Sequence, residues 1–234
     1  TQNVKSKSEA ERLWESRGRF VFVSWLSLWY NREMFLDMRK YILVLTIALF
    51  SLAGSAEAMQ LGSSSDFIID ASFDATKRTE LEAELALITS QLYFYVDVAW
   101  WDKQTGIRKN ELRSSFQDLA REFEITIYPK LTSAFGSEWR PGIDGDPKIA
   151  LLIHPLVDGA GGYFRTADGY LKLQVPESNE REMIYMAPDF IETDIAKSFL
   201  DHEFTHLITF NQKDRSYGVA EDVWLNEARA EYAP

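Results

Sequence analysis

The stretch His202-Glu203-Phe204-Thr205-His206 decides how the rest of this sequence is read. It holds two of the three histidines in the chain, four residues apart, with a glutamate directly after the first. On an α-helix, positions i and i+4 lie on one face, one turn apart. Two imidazoles so placed can ligate one Zn²⁺, and the intervening glutamate can reach a water at that metal. The surrounding residues predict the helix. Thr193 is a candidate cap, and Ile195, Phe199, Leu200, Leu207 and Phe210 keep helical spacing to about Asn211.

Two histidines need a third protein ligand. A third histidine in the pattern H-E-x-x-H-x-x-G-x-x-H is excluded, because Thr209 and Gln212 stand at the glycine and histidine positions. A glutamate from a following helix is the other solution, and Asn226-Glu227 supplies it. Trp224 and Leu225 are expected to bury the packing face of that helix, which should run from about Val219 to Ala233. Glu231 falls four residues after Glu227 and is placed to hold the free ring nitrogen of His202. Asn226 is expected to support the ligands in the same way.

Composition narrows the chemistry. The chain has 234 residues, 46% hydrophobic residues and a net charge of −11. An acidic surface disfavours nucleic acid as a partner. There is no cysteine, so disulfides and thiolate ligands are ruled out and a metal site must use histidine and carboxylates. Residues 38–58 have the order of a secretory signal. Met38-Arg39-Lys40 is basic, Tyr41 to Ala53 is apolar and too short for a typical span, and Ala56-Glu57-Ala58 offers a cleavage point. An uncleaved anchor helix is the alternative. Residues 1–37 then read as upstream of the natural start. The part from Met59 onward has 17 basic and 30 acidic residues, so the acidity belongs to it. An extracytoplasmic protein is expected.

Residues 59–76 read as a flexible lead-in. Lys77 to about Ile88 reads as a helix, with Leu81, Leu85 and Ile88 on one face. Leu92 to Trp101 reads as an aromatic strand. Asn110 to Phe135 reads as a helix kinked or broken near Pro129. Gly142 to Pro147 reads as a turn. Asp144 and Asp146 lack the full calcium-loop pattern, so calcium has no support here. Lys148 to Leu156 reads as a buried strand ending at a structural His154, and residues 212–219 as a polar loop.

These motifs together resemble a known group. His202-Glu203-x-x-His206, Trp224-Leu225-Asn226-Glu227 and Ala230-Glu231-Tyr232-Ala233 look like the zinc-ligand helices of gluzincin metallopeptidases. Ile127-Tyr128-Pro129, Phe135-Gly136-Ser137-Glu138-Trp139 and Asp144-Gly145-Asp146-Pro147 resemble the bacterial hyicolysin-type family. So do Gly161-Gly162-Tyr163-Phe164 and Ser178-Asn179-Glu180-Arg181-Glu182-Met183. The resemblance spans residues 90–233. Ala228 departs from it, since relatives often have glycine after the ligand glutamate.

The resemblance implies an α+β, zincin-like domain over 77–234. A small mixed sheet would pack on the H-E-x-x-H helix, with the glutamate-ligand helix following. It implies one Zn²⁺ per chain on His202, His206 and Glu227, and Glu203 as general base. Peptides or proteins would be the substrates. They would lie along an edge strand at Gly161, Gly162, Tyr163 and Phe164, with Glu182 to Met186 as an inner strand. Backbone pairing of that kind favours an endopeptidase. A further His or Tyr that stabilises the tetrahedral intermediate in gluzincins would be expected after Pro234. The alternative reading is a non-catalytic binding module on a peptidase-like fold. A membrane-embedded protease is disfavoured, because Lys197, Asp201, Asp214 and Arg215 flank the motif. Nothing in the sequence speaks to oligomeric state.

Overall fold

A computed structural model describes residues 59–233. The signal-like segment 38–58, the upstream residues 1–37 and Pro234 lie outside the described residues. Six strands form one mixed sheet: β1 (Ser64–Ile68), β2 (Glu80–Ile88), β3 (Leu92–Asp97), β4 (Ile149–Ile153), β5 (Gly162–Tyr163) and β6 (Met183–Met186). The order is β1-β2-β3-β4-β6-β5. β3, β4 and β6 run parallel, while β1, β2 and β5 pair antiparallel with their neighbours. Four helices complete an α+β architecture: α1 (Gly106–Glu122), α2 (Tyr128–Phe135), α3 (Ile195–Thr209) and α4 (Val223–Glu231). Among the described residues no helix is long and apolar enough to cross a membrane.

The helices gather on one sheet face. Phe94, Val96, Leu151, Ile153, Ile184 and Met186 meet Leu112, Phe116, Leu200, Phe204 and Ile208 there. β3, β4 and β6 are buried throughout, as expected of strands covered on both faces. The opposite face is covered by chain outside the helices, with Phe73, Met59 and Leu156 packed near Tyr95, Tyr163 and Tyr185.

Two expectations fail at the N-terminal end. Residues 59–76 are not a flexible lead-in, because they supply β1, and Phe67 and Ile69 are buried in the core. Lys77 to Ile88 is not a helix. Leu81, Ala83 and Leu85 are buried while Glu80 and Glu82 are exposed, which is a period of two. Leu81, Leu85 and Ile88 also satisfy a helical period, and pairing with β1 and β3 overrides the helix propensity of Glu, Leu and Ala.

The remaining differences are local. The predicted strand over 92–101 stops at Asp97, whose side chain caps a helical turn at Val98–Trp101. The predicted break near Pro129 takes the form of a π-helical stretch, Phe123–Ile127, with the proline in the first turn of α2. Thr193 does not cap α3; Asp194 occupies that position and the Thr193 hydroxyl donates to Phe190 O. Beyond α3 a π-helical stretch runs Phe210–Arg215, so part of the predicted polar loop is helical. Asp144 and Asp146 serve the turn: Asp144 Oδ1 accepts from Asp146 N at 2.9 Å, and Asp146 Oδ2 accepts from the Tyr93 hydroxyl at 2.7 Å.

His154 is structural, as expected. It is fully buried, with Nδ1 3.3 Å from Asp74 Oδ2 and Nε2 3.1 Å from the Tyr163 hydroxyl. A carboxylate only accepts, so Nδ1 carries the proton and Nε2 accepts from Tyr163. Arg78 bridges Asp74 (2.8 Å) and Asp97 (2.9 Å), so Asp74 already has a cationic partner. Burial outweighs the pull of Asp74 and lowers the imidazole pKa from 6.5 to about 4.

Between those two values the unfolded chain binds a proton at this position and the folded chain does not. Stability therefore falls as pH falls through the window, by about 3 kcal/mol from this site. Urea unfolding at pH 7 and pH 4 of wild type and His154→Gln measures it. The variant is expected to be less stable at pH 7 and to lose less on acidification; an unchanged pH slope would contradict the assignment.

Candidate metal centre

Helix α3 presents His202 and His206 on one side because its other side is fixed in the core. Leu200, Phe204 and Ile208 are fully buried against the sheet and helices. The ring of Phe204 lies 4.9 Å from that of Phe123 and 5.5 Å from that of Tyr128. A rotation of 100° per residue then turns positions 202 and 206 towards a cleft of about 410 Å³.

Helix α4 brings the third group back. Glu221, whose side chain is buried, accepts from both Lys213 and Arg229, and Arg229 also donates to Thr209 Oγ1 at 3.3 Å. These contacts tie α4 to the end of α3. Asn226, Arg229, Ala230 and Ala233 form its inward face. Trp224 and Leu225 were expected on that face, but they are exposed. At 100° per residue they fall about 120–140° around the helix from the buried Ala230. The signal for the correct docking was the charge pairing of Glu221 with Arg229, eight residues apart.

His202, His206 and Glu227 converge, and this group can hold a metal ion. His202 Nε2 and His206 Nε2 are 3.0 Å apart, and Glu227 carboxylate oxygens lie 3.4 Å and 3.6 Å from them. Tetrahedral ligands about 2.0–2.2 Å from one ion are separated by roughly 3.3–3.6 Å, so the two sides to Glu227 fit and the His202–His206 side is a few tenths of an ångström short. The other ring nitrogens suit the same state. His202 Nδ1 faces Glu231 Oε2 at 3.9 Å. His206 Nδ1 is buried without a hydrogen bond, and so is the Oδ1 of the neighbouring Asn226. A metal held at both Nε2 atoms would leave a proton on each Nδ1, and Glu231 and Asn226 are the acceptors at hand.

Glu203 is buried beside the triangle. Burial first, and the charge of Glu227 second, raise its pKa to about 8. A dication among the ligands opposes both effects. Burial lowers the His206 pKa, and His202 adds to this, while Asn226 and Glu227 act the other way. Gly162 explains how Glu203 fits against β5. A Cβ there would lie 2.8 Å from Tyr185 O and 3.1 Å from Glu203 Cγ. Gly161 similarly leaves room for the Phe199 ring.

Of Gly161 to Phe164, Gly162–Tyr163 forms the edge strand β5, and Gly162, Tyr163 and Phe164 line the cleft, while Gly161 and Phe164 flank the strand. Phe73 also lines it and escaped the sequence reading, because 59–76 looked like a lead-in. The apolar run Phe67-Ile68-Ile69 just before it was the available sign of structure.

Metal titration by calorimetry tests the triangle without any turnover assay. Wild type is expected to take up one zinc ion, and Glu227→Ala to lose it. Asn226→Ala and Glu231→Ala should each weaken affinity about 10–100-fold. Unchanged uptake by Glu227→Ala would show that another group completes the site. The chain matches no protein-family model and no curated protein.

Proposed function

We propose that this chain is a secreted, zinc-dependent endopeptidase of the gluzincin type, on a zincin-like domain. The observation that carries the reading is the convergence of His202, His206 and Glu227 beside a buried Glu203. The donor set suits zinc: two imidazoles and one carboxylate, with a fourth position free. Bound zinc would supply Lewis acidity, polarising the scissile carbonyl and easing the ionisation of a water to near neutral pH.

The residues of the chain do the rest. Among the described residues, Glu203 is the other carboxylate lining the cleft besides Glu227. It takes the proton of the attacking water and passes it to the leaving amine, which is general base and then general acid work. Its burial keeps bulk water from competing for that proton. β5 ends the sheet, so its outer backbone groups are free to pair with an extended peptide. Pairing of this kind reads backbone before side chains and suits an endopeptidase. The signal-like segment at 38–58 supports export, and the acidic composition disfavours nucleic acid as a substrate.

Casein degradation by the full chain, with and without 1,10-phenanthroline, tests the reading. Wild type should cleave, and the chelator should stop it. Glu203→Gln should keep its zinc and lose turnover. Gly162→Ala, which pushes on Glu203, should keep zinc and lose about 100-fold in kcat. Activity that survives the chelator would contradict the zinc mechanism, and a fully active Glu203→Gln would remove the glutamate from the base role.

A further inference from the structure

Three aromatic rings form a continuous stack leading from the core to the cleft. Tyr185 is fully buried. Tyr163 stacks on it with centroids 4.3 Å apart and planes 7° apart. Phe73 stacks on Tyr163 at 4.5 Å and 12°. Phe73 is the outermost ring, half-buried, and it lines the same cleft as the metal triangle and Glu203. Phe164 adds a second apolar surface to that wall.

The stack is rigid at each level. His154 holds the Tyr163 hydroxyl and Asp74 holds His154. Asp74 follows Phe73 directly, and its carboxylate also takes hydrogen bonds from Thr76 N at 2.8 Å, Arg78 N at 3.0 Å and the Arg78 guanidinium. The Phe73 backbone is tied on both sides, its N–H donating to Asp70 O at 3.1 Å and its C=O accepting from Val157 N at 2.8 Å. A flat apolar surface fixed in this way loses little freedom when a ligand covers it. A further ring laid on it extends the offset-stacked series.

We infer that Phe73 is a specificity-determining residue that gives the cleft a preference for peptides with an aromatic side chain next to the scissile bond. This rests on the peptidase reading and adds the substrate class to it. Phe73 supplies the contact, and Asp74, His154 and Tyr163 are positioning residues behind it.

The test uses zinc-loaded full-length protein and a peptide set that differs at one position, with Phe, Leu, Ala or Asp beside the cleaved bond. Cleavage gives kcat/KM, and fluorescence anisotropy on the Glu203→Gln background gives binding without turnover. Wild type should favour Phe over Ala in both readouts, and Phe73→Ala should reduce that ratio at least about ten-fold. Phe73→Tyr keeps the ring and should keep the preference. If Phe73→Ala melts below the assay temperature, Phe73→Leu serves instead, with the Phe-over-Leu ratio expected to fall. A wild type without preference, or a preference unchanged in a folded Phe73→Ala or Phe73→Leu, would overturn the inference. A wild type that neither binds nor cleaves any of the peptides would overturn the peptidase reading itself.

Discussion

The ring of Phe204 is fully buried between Phe123 and Tyr128, and this contact fixes the rotation of α3 about its axis. Once that face is inward, His202 and His206 can point only into the cleft, and Glu203 lies between them against the backbone of β5. Helix packing is dense and tolerates little sliding. The positions of the three motif side chains therefore follow from an apolar contact that carries no chemistry of its own. The same holds for Glu227, whose place depends on Glu221 gripping Lys213 and Arg229 at the joint between α3 and α4.

The candidate metal triangle gathers ligand atoms at one point. Glu203 is buried beside the Glu227 carboxylate, and the Nε2 atoms of His202 and His206 meet at 3.0 Å. A cation among these groups would favour the ionised carboxylates and the unprotonated Nε2 atoms. On the other side of β5 the logic differs. Arg78 pairs with both Asp74 and Asp97, and the neutral His154 links Asp74 to Tyr163. One histidine cluster is closed and structural, while the other is open and suited to a metal.

The sequence made the metal-binding end legible and the N-terminal end illegible, for physical reasons. The spacing of His202 and His206 is short-range, and helical geometry converts it directly into proximity, while Asn226-Glu227 was legible as a motif on a following helix. β4 and β6 are continuous apolar runs and could be read as buried strands. β2 could not, because Glu80 to Ile88 satisfies both a helical and an alternating period, and only the neighbouring strands choose between them. β1 was hidden by the serines and glycine around it. The outward turn of Trp224 and Leu225 follows from a salt-bridged joint rather than from apolar pattern, so hydrophobicity pointed the wrong way. Phe73 was lost with β1, since its role depends on a bridge between Asp74 and Leu156 that joins distant parts of the chain.

The central claim is that one zinc ion binds between α3 and α4 through both histidines and Glu227. Anomalous diffraction at the zinc edge, from crystals of zinc-loaded protein, tests it most directly. We predict a single strong peak bonded to His202 Nε2, His206 Nε2 and the Glu227 carboxylate, with Glu203 outside the coordination sphere. A peak elsewhere, or no peak at this position in fully loaded crystals, would contradict the account.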